Sequence, residues 1–375
     1  MQKRKKFGRA AVAALCMAAL AACGSAAGCA NRSAAVKEVE VVSYVTTDSH
    51  VYNSTVEMVN AVADSVVEIS TESVTTQWGH QYIVSGAGSG VIVGKAEADN
   101  YYYIVTNNHV IDGAKNITVK TRAGTAYTAE LVATDDSADI AVIKIATSDG
   151  LNVAVWGDSD DLQIGEDLVA IGNPLGSLGG TVTKGILSAT GRTIEVGNYA
   201  MTLLQTDTAI NPGNSGGGLF NMRGELIGVV NAKTTDEEIE GICFAIPANR
   251  ARSVYNDLME YGYIKGRATF NISVADGTIS SGGINAQSQS IVYVTDVGQV
   301  ADGTFAKYDR IYSVNGETVS SVLGLNKALA KINAGDSVKI EVYRGSLMQS
   351  MWGGNSISFS TELTEFTVTA AQYGA

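Results

Sequence analysis

The sequence predicts a mainly β protein with a pair of six-stranded antiparallel barrels, followed by a smaller α+β unit. Short runs rich in Val and Ile, separated by Gly, Asn and Asp, extend to about residue 266, which is typical of barrels built from many short strands. After Gly266 the pattern changes, because two segments that are predicted to be strands, residues 291–297 and 338–345, flank an amphipathic helical stretch, residues 322–332. A chain of 375 residues is long enough for two or three domains.

The N-terminus has the layout of an export signal. Basic residues open the chain, and residues 10–20 form an apolar run that is too short to span a bilayer. The run ends in Leu20-Ala21-Ala22-Cys23, which resembles the bacterial lipoprotein signal. That resemblance implies that residues 1–22 are removed and that Cys23 carries the lipid. Cys29 is an alternative lipidation site, and an uncleaved anchor also stays open.

Residues 23–53 are predicted to be a flexible tether, since Ala, Ser, Thr and Val follow one another there without clear periodicity. Residues 56–67 are predicted to form a helix that leads into the first strand. The first large domain is therefore expected to span residues 54–266. Residues 251–261 are predicted to form its last helix, ended by Gly262.

The chemically most informative segment is Gly213-Asn214-Ser215-Gly216-Gly217. A serine hydroxyl is a poor nucleophile unless a base removes its proton and nearby donors stabilise the oxyanion that forms. Glycines allow the backbone to turn tightly and direct its N–H groups at one point, because they have no Cβ. The segment alone could also be an ordinary turn, so a base and an orienting acid are needed to support the catalytic interpretation.

His109 is the best candidate for the base among the three histidines of the chain. It follows the apolar run 101–105, whereas His50 and His80 lie in polar or loop-like stretches. Asp139 precedes the aliphatic run 140–143, where a partly buried carboxylate can hold an imidazole in one tautomer. Each residue alone has an ordinary structural interpretation. The order His–Asp–Ser, however, is that of chymotrypsin-type β-barrel proteases, and three suitable local contexts make coincidence a poor explanation.

The region 54–266 resembles the protease domain of the HtrA (high-temperature requirement, DegP-like) family of trypsin-like serine proteases. The resemblance is specific because several separate motifs match the family, and these motifs contain all three prolines of the chain. The matching stretches are residues 88–93, 106–110, 139–144, 170–174, 181–186, 205–217 and 244–247.

The resemblance implies a catalytic triad and an oxyanion hole. Ser215 would be the nucleophile, His109 the general base and acid, and Asp139 the orienting carboxylate. The oxyanion hole would lie at Gly213-Asn214-Ser215, with the N–H groups of Gly213 and Ser215 as donors. The implied activity is peptide-bond hydrolysis through an acyl-enzyme, without a cofactor or a metal; no Cys/His spacing in the sequence fits a metal site.

The expected specificity pocket is apolar. In this class the residue six positions before the nucleophile lies at the base of the pocket, and here that residue is Ala209, followed by Ile210. The wall strand is expected to contain Val230, Asn231 and Ala232. Since no acid is available to pair with Lys or Arg, we expect cleavage after small or medium aliphatic residues in unfolded chains.

Composition limits the partners. The net charge is −12, which does not suit nucleic acid or anionic lipid headgroups, so membrane contact would come from the N-terminal lipid. Cys243 lies in an apolar run and is expected to be a buried, inert thiol. Family members usually form trimers through N-terminal aromatic residues, for which Tyr44 and Tyr52 are candidates.

Two segments, residues 190–199 and 233–241, lie where the family carries activation loops. They could equally be ordinary surface loops.

The C-terminal region, residues 267–375, resembles a PDZ domain, which binds extended peptides at a sheet edge. The candidate peptide-binding residues are Phe270, Asn271 and Ile272, with Asn271 where such domains usually have Gly. Residues 347–361 are unlike a minimal PDZ domain.

The sequence therefore predicts an extracytoplasmic serine endopeptidase, lipid-anchored to a bacterial membrane, that degrades unfolded or misfolded proteins. The alternative is a chaperone-like or peptide-binding protein in which the PDZ-like domain dominates and proteolysis is minor.

Overall fold

The computed structural model describes residues 50–77, 80–96, 100–172, 180–211, 213–232, 241–280, 288–298, 304–349 and 355–372. Some sequence predictions fall outside these residues. They are the export signal with Cys23, Cys29, Tyr44, Pro174, Pro212 and most of the second candidate loop, residues 233–240.

A short helix leads into the first barrel. Helix α1, Thr55–Val62, is capped by Ser54, whose Oγ accepts the Glu57 N–H at 3.2 Å. The helix is shorter than the predicted 56–67, because a 3₁₀ turn, Ala63–Ser65, follows it and the chain then becomes extended at Val66. The β-branched side chains of Val66 and Val67 are buried in the core, which favours a strand at this point.

The first barrel is a closed sheet of six antiparallel strands in the order β1-β2-β3-β6-β5-β4. Its interior is filled by aliphatic side chains such as Ile69, Ile92, Ile104 and Ile143. The strands are β1 Val66–Gln77, β2 His80–Ala96, β3 Tyr101–Thr106, β4 Asn116–Lys120, β5 Ala126–Asp135 and β6 Ile140–Ala146. A single helical turn, α2 (Asn108–Ile111), follows β3.

The second barrel contains six strands that close through a β11–β12 pairing, in the order β11-β8-β9-β10-β13-β12, and β7 is added in parallel beside β12. Leu168, Leu187, Leu204, Leu219 and Ile227 fill its interior. The predicted pair of six-stranded barrels is therefore confirmed. The strands are β7 Val155–Trp156, β8 Asp167–Gly172, β9 Thr181–Val196, β10 Tyr199–Thr206, β11 Gly218–Asn221, β12 Glu225–Val230 and β13 Cys243–Pro247.

The first candidate activation loop, residues 190–199, is a β-hairpin in the structure. Strands β9 and β10 pair up to Val196 opposite Tyr199, with Gly197 and Asn198 as a two-residue turn. Gly197 has φ +58°, the left-handed conformation that the first central position of a tight hairpin turn requires. The β-branched residues before the turn extend the strand, so only the turn itself is a loop.

Helix α3, Ala248–Tyr261, closes the barrel region. It ends at Gly262, which has φ +79°. This left-handed conformation is unstrained for glycine, because glycine lacks a Cβ. The buried side chains Val254, Tyr255 and Leu258 join a core shared with both barrels. The predicted end of the helix agrees with the structure, and its start lies three residues earlier than predicted, at Ala248.

The C-terminal region has its own sheet, in the order β15-β16-β17-β19-β20, in which β15 is an edge strand. One helix, α4, packs on this sheet, and residues 347–349 and 355–359 pair within the β19–β20 hairpin. A small second sheet pairs β14 with β21. The elements are β14 Ala268–Thr269, β15 Ile272–Ser280, β16 Ser288–Val297, β17 Arg310–Val314, β18 Glu317–Thr318, α4 Val322–Leu329, β19 Ser337–Gln349, β20 Asn355–Thr369 and β21 Ala371–Gln372.

Within the described residues, no helix combines the length and the apolar character needed to cross a membrane.

Candidate active site

His109 and Asp139 are brought together by two short segments of the first barrel. His109 lies on α2, directly after β3, and Asp139 lies in the turn between β5 and β6. The Asp139 Oδ2 atom is 2.7 Å from His109 Nδ1, and its Oδ1 atom accepts the backbone N–H of His109 at 3.0 Å. The carboxylate thus holds both the ring and the backbone of the histidine.

The turn that carries Asp139 is itself held by one buried acidic side chain, Asp135. Asp135 is buried, and its Oδ1 accepts the Ser137 hydroxyl at 2.9 Å and the Ala138 N–H at 2.7 Å. Arg267, from the start of the C-terminal region, forms an ion pair with the same carboxylate. Asp139 has φ +51°, a conformation that non-glycine residues rarely adopt, and these contacts restrain the chain there.

Ser215 approaches His109 from the second barrel. The serine Oγ is 3.1 Å from His109 Nε2, so Asp139, His109 and Ser215 form one continuous chain of hydrogen-bonding atoms. The Ala232 N–H also points to the serine Oγ, at 3.3 Å. A hydroxyl in this position can pass its proton to the imidazole, while the carboxylate stabilises the imidazolium that results.

The segment before Ser215 is a tight turn. The Asn214 N–H donates to the Asn211 carbonyl at 3.0 Å, and Gly213 has φ +103°, which suits glycine in the third position of such a turn. Because the Asn214 N–H is used within the turn, it is not available to an oxyanion. Within the part of the chain that the structure describes, the N–H groups of Gly213 and Ser215 have no hydrogen-bond partner.

Two of the expected pocket residues, Val230 and Ala232, contact the nucleophile segment through their backbones, because the Gly216 N–H donates to the Val230 carbonyl and the Ala232 N–H donates to Ser215 Oγ. Ala209 is exposed, and its carbonyl accepts the Thr183 hydroxyl at 2.9 Å. Ile210 and Val230 are buried in the core of the second barrel, and Ala232 packs against this core.

Asn231 differs from the sequence expectation of a pocket wall. Its side chain is fully buried, and its Nδ2 donates to Asp139 Oδ2 at 3.0 Å. The Asn231 side chain therefore supports the acid.

Cys243 is a buried free thiol in the same core as Ile210 and Val230. Burial raises the pKa of this thiol above its ordinary value, which favours the unreactive protonated form.

The three candidate peptide-binding residues lie at the start of the C-terminal sheet, apart from the triad in the sequence. Phe270 is buried, with its ring centroid 5.4 Å from that of Phe305. Asn271 has φ +54°, so it takes the left-handed conformation that a glycine would take at no cost. Ile272 begins the edge strand β15.

Sequence reasoning missed several polar residues around the triad. Asn107 donates its side-chain N–H to the Asp139 carbonyl at 3.0 Å, and Asn231 binds the Asp139 carboxylate. Ser89, on the first barrel, donates to the Gly213 carbonyl of the nucleophile segment, and Thr106 donates to the Ser89 carbonyl. Residues 88–93 and 106–110 had matched the family, but no local signal in the sequence assigned these side chains a partner.

Two closed barrels with an aligned Asp–His–Ser chain define a trypsin-like peptidase domain. A family model described as a trypsin-like peptidase domain matches residues 88–229, and one described as a PDZ domain matches residues 278–352. Phe270, Asn271 and Ile272 precede the range matched as PDZ.

Relatives identify the family. The chain is 38% identical over 283 residues to the serine protease Do-like HtrA of Lactococcus lactis subsp. lactis, covering 70% of this chain and 68% of that protein. It is also 38% identical over 279 residues to the serine protease Do-like HtrA of Bacillus subtilis, covering 69% of this chain. The chain belongs to the HtrA family of trypsin-like serine proteases.

The chain spans 61% of the length of the Bacillus subtilis relative. A solved structure, the HtrA-type protease AlgW with decapeptide, is similar with a TM-score of 0.53 and 27% identity, covering 86% of this chain and 99% of that one.

Proposed function

We propose that this protein is a serine endopeptidase in which Ser215 is the nucleophile, His109 the general base and acid, and Asp139 the orienting carboxylate. The observation that carries the proposal is the continuous chain of contacts from Asp139 through His109 to Ser215, at 2.7 and 3.1 Å. Family membership supports the same chemistry.

The reaction follows from the contacts. Ser215 Oγ attacks a peptide carbonyl while His109 Nε2 takes the hydroxyl proton, and the N–H groups of Gly213 and Ser215 stabilise the oxyanion. His109 then returns the proton to the leaving amine, which leaves an acyl-enzyme. Water attacks this ester with His109 again as the base, and the acid product and free Ser215 are released.

We propose cleavage after small or medium aliphatic residues. The exposed Ala209 would offer no charge to a basic side chain, and the buried Ile210 and Val230 would supply apolar groups to the inner side of the pocket. Apolar pockets discriminate by only about 1–3 kcal/mol per methylene, so the enzyme would cut many sites in unfolded chains.

The C-terminal region is proposed to bind extended peptides. Strand β15 is an edge strand, and a cavity of about 800 Å³ is lined by β15 and α4 together with barrel residues such as Thr193, Tyr199 and Arg250. Ile272 and Val274 line the strand side and Leu325 and Leu329 the helix side, which suits a peptide with alternating apolar residues. This groove is the observation that favours the alternative, a chaperone-like or peptide-binding protein in which proteolysis is minor.

We further propose that the protein works outside the cytoplasm, held to a bacterial membrane by a lipid on Cys23. The layout of residues 1–23 supports export and lipidation, and one relative is the periplasmic serine endoprotease DegP of Salmonella typhimurium. Assembly as a homotrimer remains part of this proposal, with Tyr52 as a candidate contact.

Casein cleavage by the purified chain tests the activity. The wild type is expected to cleave casein, and Ser215→Ala to lose about six orders of magnitude in kcat. Ser346→Ala, an exposed serine on β19, is the matched control and should keep full activity. Equal cleavage by Ser215→Ala and the wild type, or cleavage by neither, would reject the proposal and favour the binding alternative.

A further inference from the structure

Ser89 connects the first barrel to the nucleophile segment of the second. It lies on β2 and is fully buried. Its hydroxyl donates to the Gly213 carbonyl at 2.6 Å, and its N–H donates to the Ser215 carbonyl at 2.8 Å. One residue of the first barrel therefore holds the two carbonyls on either side of Asn214.

Thr106 holds Ser89 in turn. It is the last residue of β3, three positions before His109, and it is fully buried. Its hydroxyl donates to the Ser89 carbonyl at 2.7 Å. Ser89 and Thr106 together form a buried polar pair, which we call the cross-barrel clamp, and buried hydrogen bonds of this kind are costly to break.

The backbone of the nucleophile segment at Gly216 packs directly on the cross-barrel clamp. Gly216 has φ +81°, and a Cβ built on it would lie 2.2 Å from the Ser89 carbonyl oxygen and 2.3 Å from Thr106 Oγ1. The fit leaves no room for a side chain, so the contact is one of backbone against buried polar atoms.

The cross-barrel clamp affects the oxyanion donors because Gly213, as a glycine, needs outside contacts to hold it in one backbone conformation. A glycine near φ +103° can rotate to other backbone conformations at little steric cost, and such a rotation would turn its N–H away. The Ser89 hydroxyl fixes the carbonyl end of Gly213, and the Asn214–Asn211 bond closes the turn around it. These contacts restrict the rotation before any substrate is present.

We propose that Ser89 is a positioning residue of the oxyanion hole, and that Thr106 orients it. The clamp holds the turn at Gly213 in the conformation that leaves the N–H groups of Gly213 and Ser215 available to a developing oxyanion. The inference rests on the proposed function, in which Ser215 is the nucleophile.

The test compares transition-state and ground-state binding in Ser89→Ala. In the purified full chain, kcat and KM are measured on a peptide with Val before the scissile bond. Binding is measured for a peptide boronic acid, which forms a tetrahedral adduct with serine, and for the matching product peptide. We expect kcat and boronate affinity to fall together by about 10- to 100-fold, less than the about 100- to 1000-fold typical of removing a donor itself. KM and product-peptide affinity should stay within about threefold, because the substrate-binding surfaces are intact.

Thr106→Val and Thr106→Ser form a second, matched pair. Valine keeps the shape but removes the hydroxyl, so kcat should fall about three- to tenfold, about the value of one hydrogen bond. Serine keeps the hydroxyl and should restore kcat. This pair leaves Ser89 unchanged, and it therefore tests the clamp even where Ser89→Ala fails to fold.

Unchanged kcat and boronate affinity in Ser89→Ala would overturn the inference, as would equal losses of boronate and product-peptide affinity. Failure of Thr106→Ser to restore the activity lost in Thr106→Val would also count against it. The proposed function fails separately, if Ser215→Ala cleaves the same peptide as fast as the wild type.

Discussion

The two barrels contribute to the site in different ways. The first barrel supplies the acid and the base, and the Asp139 carboxylate is bound by the backbone and ring of His109 and by Asn231. The second barrel supplies Ser215 on a turn, and the backbone conformation of this turn decides whether the oxyanion donors are available. We therefore expect the acid–base pair of the first barrel to be most sensitive to side-chain substitutions. The nucleophile turn of the second barrel should be most sensitive to substitutions that alter the backbone.

Asp139→Asn is the most direct test of the acid–base pair on the first barrel. An amide that donates to His109 Nδ1 would stabilise the wrong tautomer, and we expect kcat to fall about 10⁴-fold with the fold intact. Peptide hydrolysis and thermal unfolding measure the two effects. A loss below about tenfold would contradict the role of Asp139.

Gly216→Ala tests the nucleophile turn of the second barrel, where we expect activity to depend on the backbone conformation. A Cβ would meet Ser89 and Thr106 at less than 2.5 Å, in addition to the cost of its positive φ. We expect a loss of about 1–3 kcal/mol in the free energy of unfolding, measured with urea, together with loss of hydrolysis.

Gly262→Ala is the matched control for this change. Gly262 also has a positive φ, but nothing lies within 4 Å of its Cβ position. We expect it to lose about 1–2 kcal/mol from strain alone and to keep its activity. Equal effects of both variants on hydrolysis would show that the contact with the clamp is unimportant.

Ala209→Asp should change specificity rather than rate. A carboxylate at this exposed position would attract a basic side chain, so the ratio of kcat/KM for Lys over Val before the scissile bond should rise about tenfold, an exposed-pair effect of about 1 kcal/mol. Ala209→Asn, with the same shape and no charge, should leave the ratio unchanged. A ratio that does not respond to the charge would place Ala209 outside the pocket.

Cys243 offers the smallest effect. With Cys16, Cys23 and Cys29 replaced by serine, it is the last cysteine of the chain. Because burial raises the pKa of the Cys243 thiol, the thiolate is scarce below that pKa, and alkylation at pH 8 should be at least about tenfold slower in the folded chain than in urea. Equal rates would show that this core is open to solvent.

The barrels were predictable because Val- and Ile-rich runs and turn residues repeat along the sequence. The three residues of the triad were also accessible, since each occupies a distinctive local context. Ser89 and Asn231 were not, because their partners lie on the other barrel and more than ninety positions away in the sequence. The hairpin at residues 190–199 does not follow from the family resemblance, which implies an activation loop there, although Gly197-Asn198 is a hairpin signal.

The most direct test of the central claim is mass-spectrometric mapping of a fluorophosphonate probe, which reacts with activated serine hydroxyls. We expect a single adduct, on Ser215, in the wild-type chain, and far slower labelling in Asp139→Asn. An adduct on another serine, or equal labelling of Ser215 in both chains, would contradict an active site assembled from the acid and base of one barrel and the nucleophile of the other.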